Sequence, residues 1–375
     1  MKIVLTGGGT GGHFYPIIAV VEEIHQIAKE DRILEPEIFY MAPTQYDSRA
    51  LFDNNITFIK TSAGKLRRYF SILNFFDLFR TAWGIVEATI SLFNIYPDVV
   101  FSKGGYASFP VVLAARFLRI PVIIHESDSE PGRVNVWTGK FAKKIAVSYP
   151  EVAHFFPKDK VAHTGNPIRK EIAIPLKNGA HEFLKLDQNI PTLFVLGGSQ
   201  GSQIINDTII DSLSQLLASY QIIHQTGKNN FAEVKNTATV VMKDSIYAER
   251  YKPFDHLNAL AMRMAAGIAD IVISRAGSTI FEIAQWAVPS IIIPLEKSSA
   301  DHQKKNAFNY ARSGACLVIE ENNLSSNVLI SEIDRLMANP ALREKMKISA
   351  KNFAQPDASH KIARAILDIA LTHEN

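Results

Sequence analysis

Short apolar runs and longer helix-period patterns alternate along the whole chain. Runs at 2–6, 37–41, 57–61, 99–102, 122–125 and 144–148 read as strands in the first half. Runs at 192–196, 222–226, 246–251, 271–274, 290–293 and 315–319 do so in the second. Strands that alternate with helices predict an α/β fold with parallel sheets covered on both faces. Twelve strands exceed what one sheet commonly holds, so two sheets in two domains are expected. Turn residues at Thr164-Gly165-Asn166-Pro167 close the first half, giving domains at 1–165 and 166–340. The remainder, 341–375, reads as helical. Ile348, Phe353, Ile362, Ala363, Ile366, Leu367 and Ile369 supply its apolar stripe and Pro356 interrupts it.

Composition narrows the chemistry. Of 375 residues, 47% are hydrophobic and 21% charged, the balance of a globular chain able to bury two cores. Net charge is +3, with 18 basic against 16 acidic residues over 1–165 and 22 against 21 over 166–375. Neither half has the positive excess of a nucleic-acid binder. A single cysteine, Cys316, excludes an internal disulfide and a cysteine-cluster metal site. Met1 leads straight into a strand pattern without a basic, apolar leader, and no run approaches the ~20 apolar residues of a membrane span. A cytoplasmic location is therefore expected.

Three glycine turns then stand out. The first strand runs into Gly7-Gly8-Gly9-Thr10-Gly11-Gly12-His13 and a helix. Glycines there let backbone N–H groups close on an anion, with the helix N-terminus adding positive potential. The spacing matches neither a P-loop nor a dinucleotide fingerprint, so a phosphate and simple close packing both fit it. The second half repeats the device at Gly197-Gly198-Ser199-Gln200-Gly201-Ser202, where Ser199 adds a hydroxyl donor. A third turn, Arg275-Ala276-Gly277-Ser278, opens a helix carrying Glu282 one turn in. A carboxylate there suits the two hydroxyls of a ribose, although an acid in a first helical turn also serves the helix dipole. In doubly wound sheets such turns lie at the strand ends where ligands bind.

Eight segments in register resemble the MurG family. They are Gly8-Gly9-Thr10-Gly11-Gly12-His13 with Pro16; Lys103-Gly104-Gly105-Tyr106 with Pro110; His125-Glu126; Gly165-Asn166-Pro167-Ile168-Arg169; Gly197-Gly198-Ser199-Gln200-Gly201; His224-Gln225-Thr226-Gly227-Lys228; Ser274-Arg275-Ala276-Gly277-Ser278; and Asp301-His302-Gln303 with Asn306-Ala307. The resemblance implies a GT-B fold, two Rossmann-like domains facing a cleft, with the C-terminal helix returning to the first. It also implies transfer of N-acetylglucosamine (GlcNAc) from UDP-GlcNAc to the muramyl sugar of undecaprenyl-diphosphate-linked lipid I, giving lipid II. By that likeness the second domain holds the donor and the first receives the acceptor. Thr10, Gly11 and Gly12 are donor contacts. Arg169 and Ser199 face the diphosphate, Gly277 and Ser278 belong to the donor turn, Glu282 binds ribose and Gln303 a GlcNAc hydroxyl. Uracil is expected near Ala259-Leu260-Ala261. Two departures stand out. Ser127-Asp128 replaces the family's usual Gln-Asn after His-Glu, so an acid stands where an amide donates, with Asn135 as a substitute. The Gly277-to-Glu282 interval is one residue shorter.

Inverting transfer needs a base at the acceptor hydroxyl and stabilisation of the departing diphosphate. His13 is the leading base, because it ends a glycine turn and imidazole titrates in the right range. Glu126 and Asp128 compete, and a histidine that only orients its own loop is the plain alternative. GT-B enzymes meet leaving-group charge with helix N-termini and basic side chains. No Asp-x-Asp pair occurs here, so no cofactor and no obligatory metal are expected. Gly104, Gly105 and Tyr106 suit an acceptor diphosphate, with a tight strand–helix crossing as the alternative. After Arg67 and Arg68, a helix sets Ile72, Phe75, Phe76, Phe79 and Trp83 on one face and Asn74, Asp77 and Thr81 on the other. Such stripes are ordinarily core. The resemblance instead implies a patch, with Arg67, Arg68 and Arg80, that docks on an anionic membrane surface at the cytoplasmic face. Other cell-wall synthesis proteins are further expected partners, and nucleic acid is not. Rival readings are another GT-B transferase acting on lipid, a UDP-GlcNAc 2-epimerase, and a non-catalytic GT-B-like subunit that recruits a partner to membranes.

Overall fold

The computed structural model describes residues 1–65, 73–198, 201–296, 298 and 301–373. The chain divides into two compact units, Met1–Arg169 with Gln355–Asn375, and Lys170–Ala354.

In the first unit the strands are β1 (Lys2–Thr6), β2 (Glu37–Ala42), β3 (Ile56–Lys60), β4 (Val99–Ser102), β5 (Val122–Glu126), β6 (Lys144–Val147) and β7 (Val161–His163). Helices α1 (Gly11–Glu30), α2 (Ser48–Asp53), α3 (Leu73–Ile95), α4 (Phe109–Phe117) and α5 (Arg133–Gly139) connect them. All pairings are parallel, in the order β3-β2-β1-β4-β5-β6-β7. The second unit carries α6 (Lys170–Ala173), α7 (Ala180–Leu184), α8 (Gln203–Ser219), α9 (Phe231–Val241), α10 (Ala259–Ile268), α11 (Thr279–Trp286), α12 (His302–Arg312), α13 (Ser326–Met337) and α14 (Pro340–Phe353). Its strands β8 (Thr192–Leu196), β9 (Gln221–Gln225), β10 (Tyr251–Phe254), β11 (Ala269–Ser274), β12 (Ser290–Ile292) and β13 (Cys316–Val318) form a parallel sheet ordered β10-β9-β8-β11-β12-β13. In both sheets the chain first adds strands on one side and then crosses to the other. That reversal creates a switch point between β1 and β4, and another between β8 and β11.

Apart from Lys2 at the start of β1, the central strands are buried, as strands covered on both faces require. Two strands differ from the sequence expectation. Strand β7 was not anticipated, because Val161-Ala162-His163 is a short, largely exposed edge with no apolar run. The strand expected at 246–251 begins only at Tyr251: Ile246 is 87% exposed and Ala248–Arg250 form a 3-10 turn. Pro253, which lacks a ladder N–H, is tolerated because β10 is an edge strand.

The segment expected at 341–375 splits between the units. Helix α14 belongs to the second, where Met346 and Ala350 are buried and Phe353 packs on Phe281 and Tyr310. Ile348, expected in a buried stripe, is 55% exposed. Beyond Pro356, the final helix α15 (Ala358–His373) returns to the first unit. It buries Ile362, Ala363, Ile366, Leu367, Ile369 and Ala370 in one cluster with Ile17, Val20, Val21 and Ile24 of α1.

On helix α3 the apolar stripe faces outward, the arrangement the resemblance implies and not the core-facing one that such stripes ordinarily have. Phe75, Phe76, Phe79 and Trp83 are each about 60% exposed, and Val86, Ile90 and Phe93 continue the exposed stripe. The polar face packs inward instead. Asp77 is buried, Thr81 Oγ1 accepts from Gly64 N (3.1 Å), and Glu87 Oε2 accepts from Ser62 N (2.7 Å). Arg67, Arg68 and Ile72 lie outside the described residues.

Candidate active site

In the first unit the switch point brings together the turns that leave β1 and β4. Thr10 caps α1 in an extended conformation, and its carbonyl accepts from the N–H groups of His13 (3.1 Å) and Phe14 (3.2 Å). Its hydroxyl lies 3.0 Å from His13 Nδ1. With a proton on Nδ1, the ring donates to Thr10 and Nε2 becomes its basic atom. That nitrogen lies 3.7 Å from where a Cβ on Gly105 would stand, so the ring reaches the loop after β4. Tyr106 closes the same space from the other side, its ring 3.3 Å from the Cβ position of Gly9. The β1 and β4 turns thus form one surface, on which Gly9 and Thr10 are exposed and Gly12 and His13 half-buried.

The competing carboxylates behave differently. Glu126 is buried at the end of β5 and its oxygens accept from Asp128 N (3.0 Å), Gly132 N (2.9 Å) and Asn135 Nδ2 (2.9 Å). Burial raises its pKa, while these donors act to lower it. This is the geometry of a loop organiser. Asn135 also gives its second N–H to His125 O (3.1 Å), so its amide nitrogen is committed inside the loop. The substitute sugar contact expected at Asn135 is therefore not available. Asp128 stands half-buried just beyond Glu126. His125 is fully buried and donates through Nε2 to Gly165 O (2.9 Å); burial and Lys103 hold its pKa well below the usual imidazole range.

Lys103, marked in the sequence only as part of Lys103-Gly104-Gly105-Tyr106, is buried and contacts His125 and Ser127. The signal in the sequence was a lysine directly before a glycine pair at a strand end. Arg169, expected on the donor side, belongs to the first unit, its guanidinium 4.0 Å from the ring centre of Tyr15 in α1. Burial raises the Tyr15 hydroxyl to about 12, and it donates to Asp47 (3.3 Å).

In the second unit β9, β8, β11 and β12 are neighbours, so the turns that follow them gather at one edge. Gly197 and Gly198 leave β8, and Gly201 leads into α8; Ser199 lies outside the described residues. After β11, Gly277 has an ordinary φ, and a Cβ there would meet nothing within 4 Å. Neither strain nor crowding asks for glycine, so what the residue supplies is open space above the turn. Ser278 and Glu282 follow four residues apart on one face of the α11 start. Asn306 of α12 donates to Ala276 O (3.1 Å), tying that turn to the next helix. Gln303, in the first turn of α12, accepts from Leu295 N (3.0 Å) through its amide oxygen, which leaves the NH2 as the end suited to a sugar hydroxyl. The Ala259-Leu260-Ala261 segment opens α10, capped by Asn258 and held by Leu257 N donating to Gln225 (2.9 Å).

Two motif residues are structural. Arg275 pairs with Glu321 and donates to Ile293 O (3.2 Å). His224 is buried between Tyr251 and Asn206, and burial lowers its pKa to about 3.

Comparison with known proteins gives this geometry a family. The glycosyltransferase family 28 N-terminal domain model matches residues 3–147, and the C-terminal domain model of the same family matches residues 192–362. A UDP-N-acetylglucosamine--N-acetylmuramyl-(pentapeptide) pyrophosphoryl-undecaprenol N-acetylglucosamine transferase of Clostridium novyi is 37% identical over 97% of both chains. One of the same name from Treponema denticola is 36% identical, over 95% of this chain and 93% of its own. Among solved structures, Acinetobacter baumannii MurG superposes with a TM-score of 0.73 at 24% identity, covering 98% of this chain and 99% of its own. A UDP-GlcNAc 2-epimerase from Neisseria meningitidis, bound to UDP-GlcNAc, gives 0.67 at 15% identity over 98% and 100%. At these identities the two structures speak to the shared fold. Identity of more than a third over nearly the full length of both sequences goes further: the chain belongs to glycosyltransferase family 28 and, within it, to the MurG family of N-acetylglucosamine transferases.

Proposed function

We propose that this chain transfers GlcNAc from UDP-GlcNAc to the muramyl 4-hydroxyl of an undecaprenyl-diphosphate-linked acceptor, lipid I, with inversion at the anomeric carbon. The observation that carries the reading is the full-length relationship to enzymes bearing that name, across both units. His13 takes the acceptor proton through Nε2, an assignment supported by its Thr10 contact and its position against Gly105. The new bond forms from that oxygen to C1 of GlcNAc as the bond from C1 to the diphosphate breaks. Backbone N–H groups at the α8 and α11 starts, with Ser278 and Ser199, take up the charge on the departing UDP. Arg169, Thr10, Gly11 and Gly12 are carried over as donor contacts from the resemblance. Glu282 receives the ribose hydroxyls and Gln303 a GlcNAc hydroxyl. Gly104, Gly105 and Tyr106 receive the acceptor diphosphate. No cofactor and no obligatory metal enters this account.

In this reading the first unit is the acceptor domain and meets the inner face of the bacterial membrane. Among the described residues no helix is long and apolar enough to cross a membrane. The exposed aromatic stripe on α3, with Arg80 beside it, supports peripheral attachment instead. Changing Phe75, Phe76 and Phe79 together to serine is expected to reduce sedimentation with anionic liposomes at least tenfold while UDP binding persists. Unchanged sedimentation would remove the membrane role from α3.

An epimerase is the second reading, favoured by the fold shared with UDP-GlcNAc 2-epimerases. Incubation with UDP-GlcNAc, with and without a lipid I analogue, separates the two. Transfer should require the acceptor, and the appearance of a 2-epimer without it would reverse the assignment.

A further inference from the structure

Lys103 leaves β4 directly before Gly104-Gly105 and turns inward, where it is 1% exposed. A buried ammonium is costly unless all its donors are met, and an apolar side chain of similar length would avoid that cost. Here three acceptors meet them. Nζ donates to His125 Nδ1 (2.5 Å), Ser127 Oγ (2.5 Å) and Asn166 Oδ1 (3.3 Å). Two of these are acceptors by arrangement. His125 commits its own N–H to Gly165 O, so Nδ1 carries a lone pair, and Asn166 gives its NH2 to Pro167 O (3.3 Å), turning its oxygen to the lysine.

The tripod joins three segments of the first unit: the loop after β4, the loop after β5, and residues 165–167. Desolvation pushes the Lys103 pKa down to about 7, while Glu126 and Asp128 act to keep it charged. His125 itself and, beyond it, His13 from α1 also act on this side, and Tyr106 lies in the held loop. The 165–167 segment brings none. The loop held in this way is the one whose Gly105 adjoins His13 and whose Gly104 would clash with Asn135 if it carried a side chain.

We propose that Lys103 is a positioning residue of the acceptor site, its buried ammonium fixing the 104–106 loop to the 125–128 loop and offsetting the carboxylate of Asp128, so that an anionic diphosphate can bind there. Small Ser127 leaves room for the ammonium, and the ammonium makes an acid at 128 compatible with an anionic acceptor. Lys103, Ser127 and Asp128 thus act as one unit. The proposal rests on the acceptor reading given above.

The test measures acceptor and donor kinetics for wild type, Lys103→Met, Asp128→Asn and the double variant, using UDP-GlcNAc and a lipid I analogue, with UDP binding by calorimetry. Lys103→Met should raise the acceptor KM at least twentyfold and leave UDP affinity unchanged. Adding Asp128→Asn should recover part of that loss, the part due to the uncompensated carboxylate, while the lost loop anchorage remains. An unaltered acceptor KM, or losses that simply multiply, would overturn the proposal.

The wild-type enzyme gives a readout that needs no variant. Acceptor kcat/KM should fall as pH rises through about 7, and that limb should be absent from Lys103→Met. Because the folded-state pKa lies below the unfolded value, this group makes the protein more stable, not less, as pH rises between the two. Loss of activity in that window therefore does not come from Lys103 unfolding the protein. A flat wild-type profile, or the same limb in Lys103→Met, also counts against the proposal. Absence of transfer by wild type at every pH would instead remove the acceptor reading and the proposal with it.

Discussion

Replacing His13 with alanine is expected to lower the transfer rate by about 10³-fold, within the usual range for loss of a general base, while UDP affinity stays within twofold of wild type. The asymmetry follows from where the ring sits. His13 belongs to the first unit and its Nε2 side adjoins Gly105; Glu282, Ser278 and Gln303, proposed to hold the nucleotide sugar, belong to the second. The substitution leaves the proposed donor contacts Thr10, Gly11, Gly12 and Arg169 of the first unit in place. Thr10→Ala should reproduce a smaller part of the loss, because it removes the hydroxyl beside Nδ1 without removing the base. Stopped assays with calorimetry on the same preparations would measure both quantities. A His13→Ala enzyme with near-normal turnover would move the base elsewhere, and Asp128 would be the next residue to test, since Glu126 is engaged by three N–H donors.

Glu282→Ala is expected to act on the other substrate. A carboxylate that accepts from ribose hydroxyls makes charge-assisted bonds worth about 2 to 3 kcal/mol, or roughly 30- to 150-fold in affinity. The KM for UDP-GlcNAc should rise by that factor with little change in acceptor KM. Wild type should prefer UDP over 2′-deoxy-UDP, and the variant should lose the preference. The position supports the role, because Glu282 shares a face of α11 with Ser278 just beyond the open space over Gly277. An unchanged KM, or a preference for the ribose 2′-hydroxyl that survives the substitution, would leave Glu282 as a first-turn acid serving its own helix dipole.

Much of the frame was legible because buried parallel strands write themselves as apolar runs. Strands such as β1, β4 and β8 begin and end where their runs do, and the glycine turns follow from strand ends meeting helix starts. Elements without that signature stayed hidden. Strand β7 is an exposed edge, and β10 contains a proline that only an edge strand tolerates. Periodicity showed that α3 is amphipathic but not which face turns outward. The answer came from Asp77, Thr81 and Glu87, which pack or bond against the 61–65 segment and leave the aromatics exposed. At the site, residue types named the candidates while partners decided among them. Glu126 and Asn135 look like free chemistry in a sequence and prove to be bonded to each other. Lys103 looks like a surface lysine and lies buried, because its three acceptors come from positions 22, 24 and 63 residues away. Arg169 follows the turn that marks the domain boundary in sequence, yet its contact with Tyr15 keeps it with the first unit.

The most direct test of the account is the structure of the product. Purified protein, UDP-GlcNAc and a lipid I analogue should yield a disaccharide-lipid whose new linkage to the muramyl 4-oxygen is β, the inverse of the donor's α-configuration, as read from the anomeric proton coupling by NMR. An α-linked product, attachment at another oxygen, or a 2-epimerised nucleotide sugar with no disaccharide would contradict it.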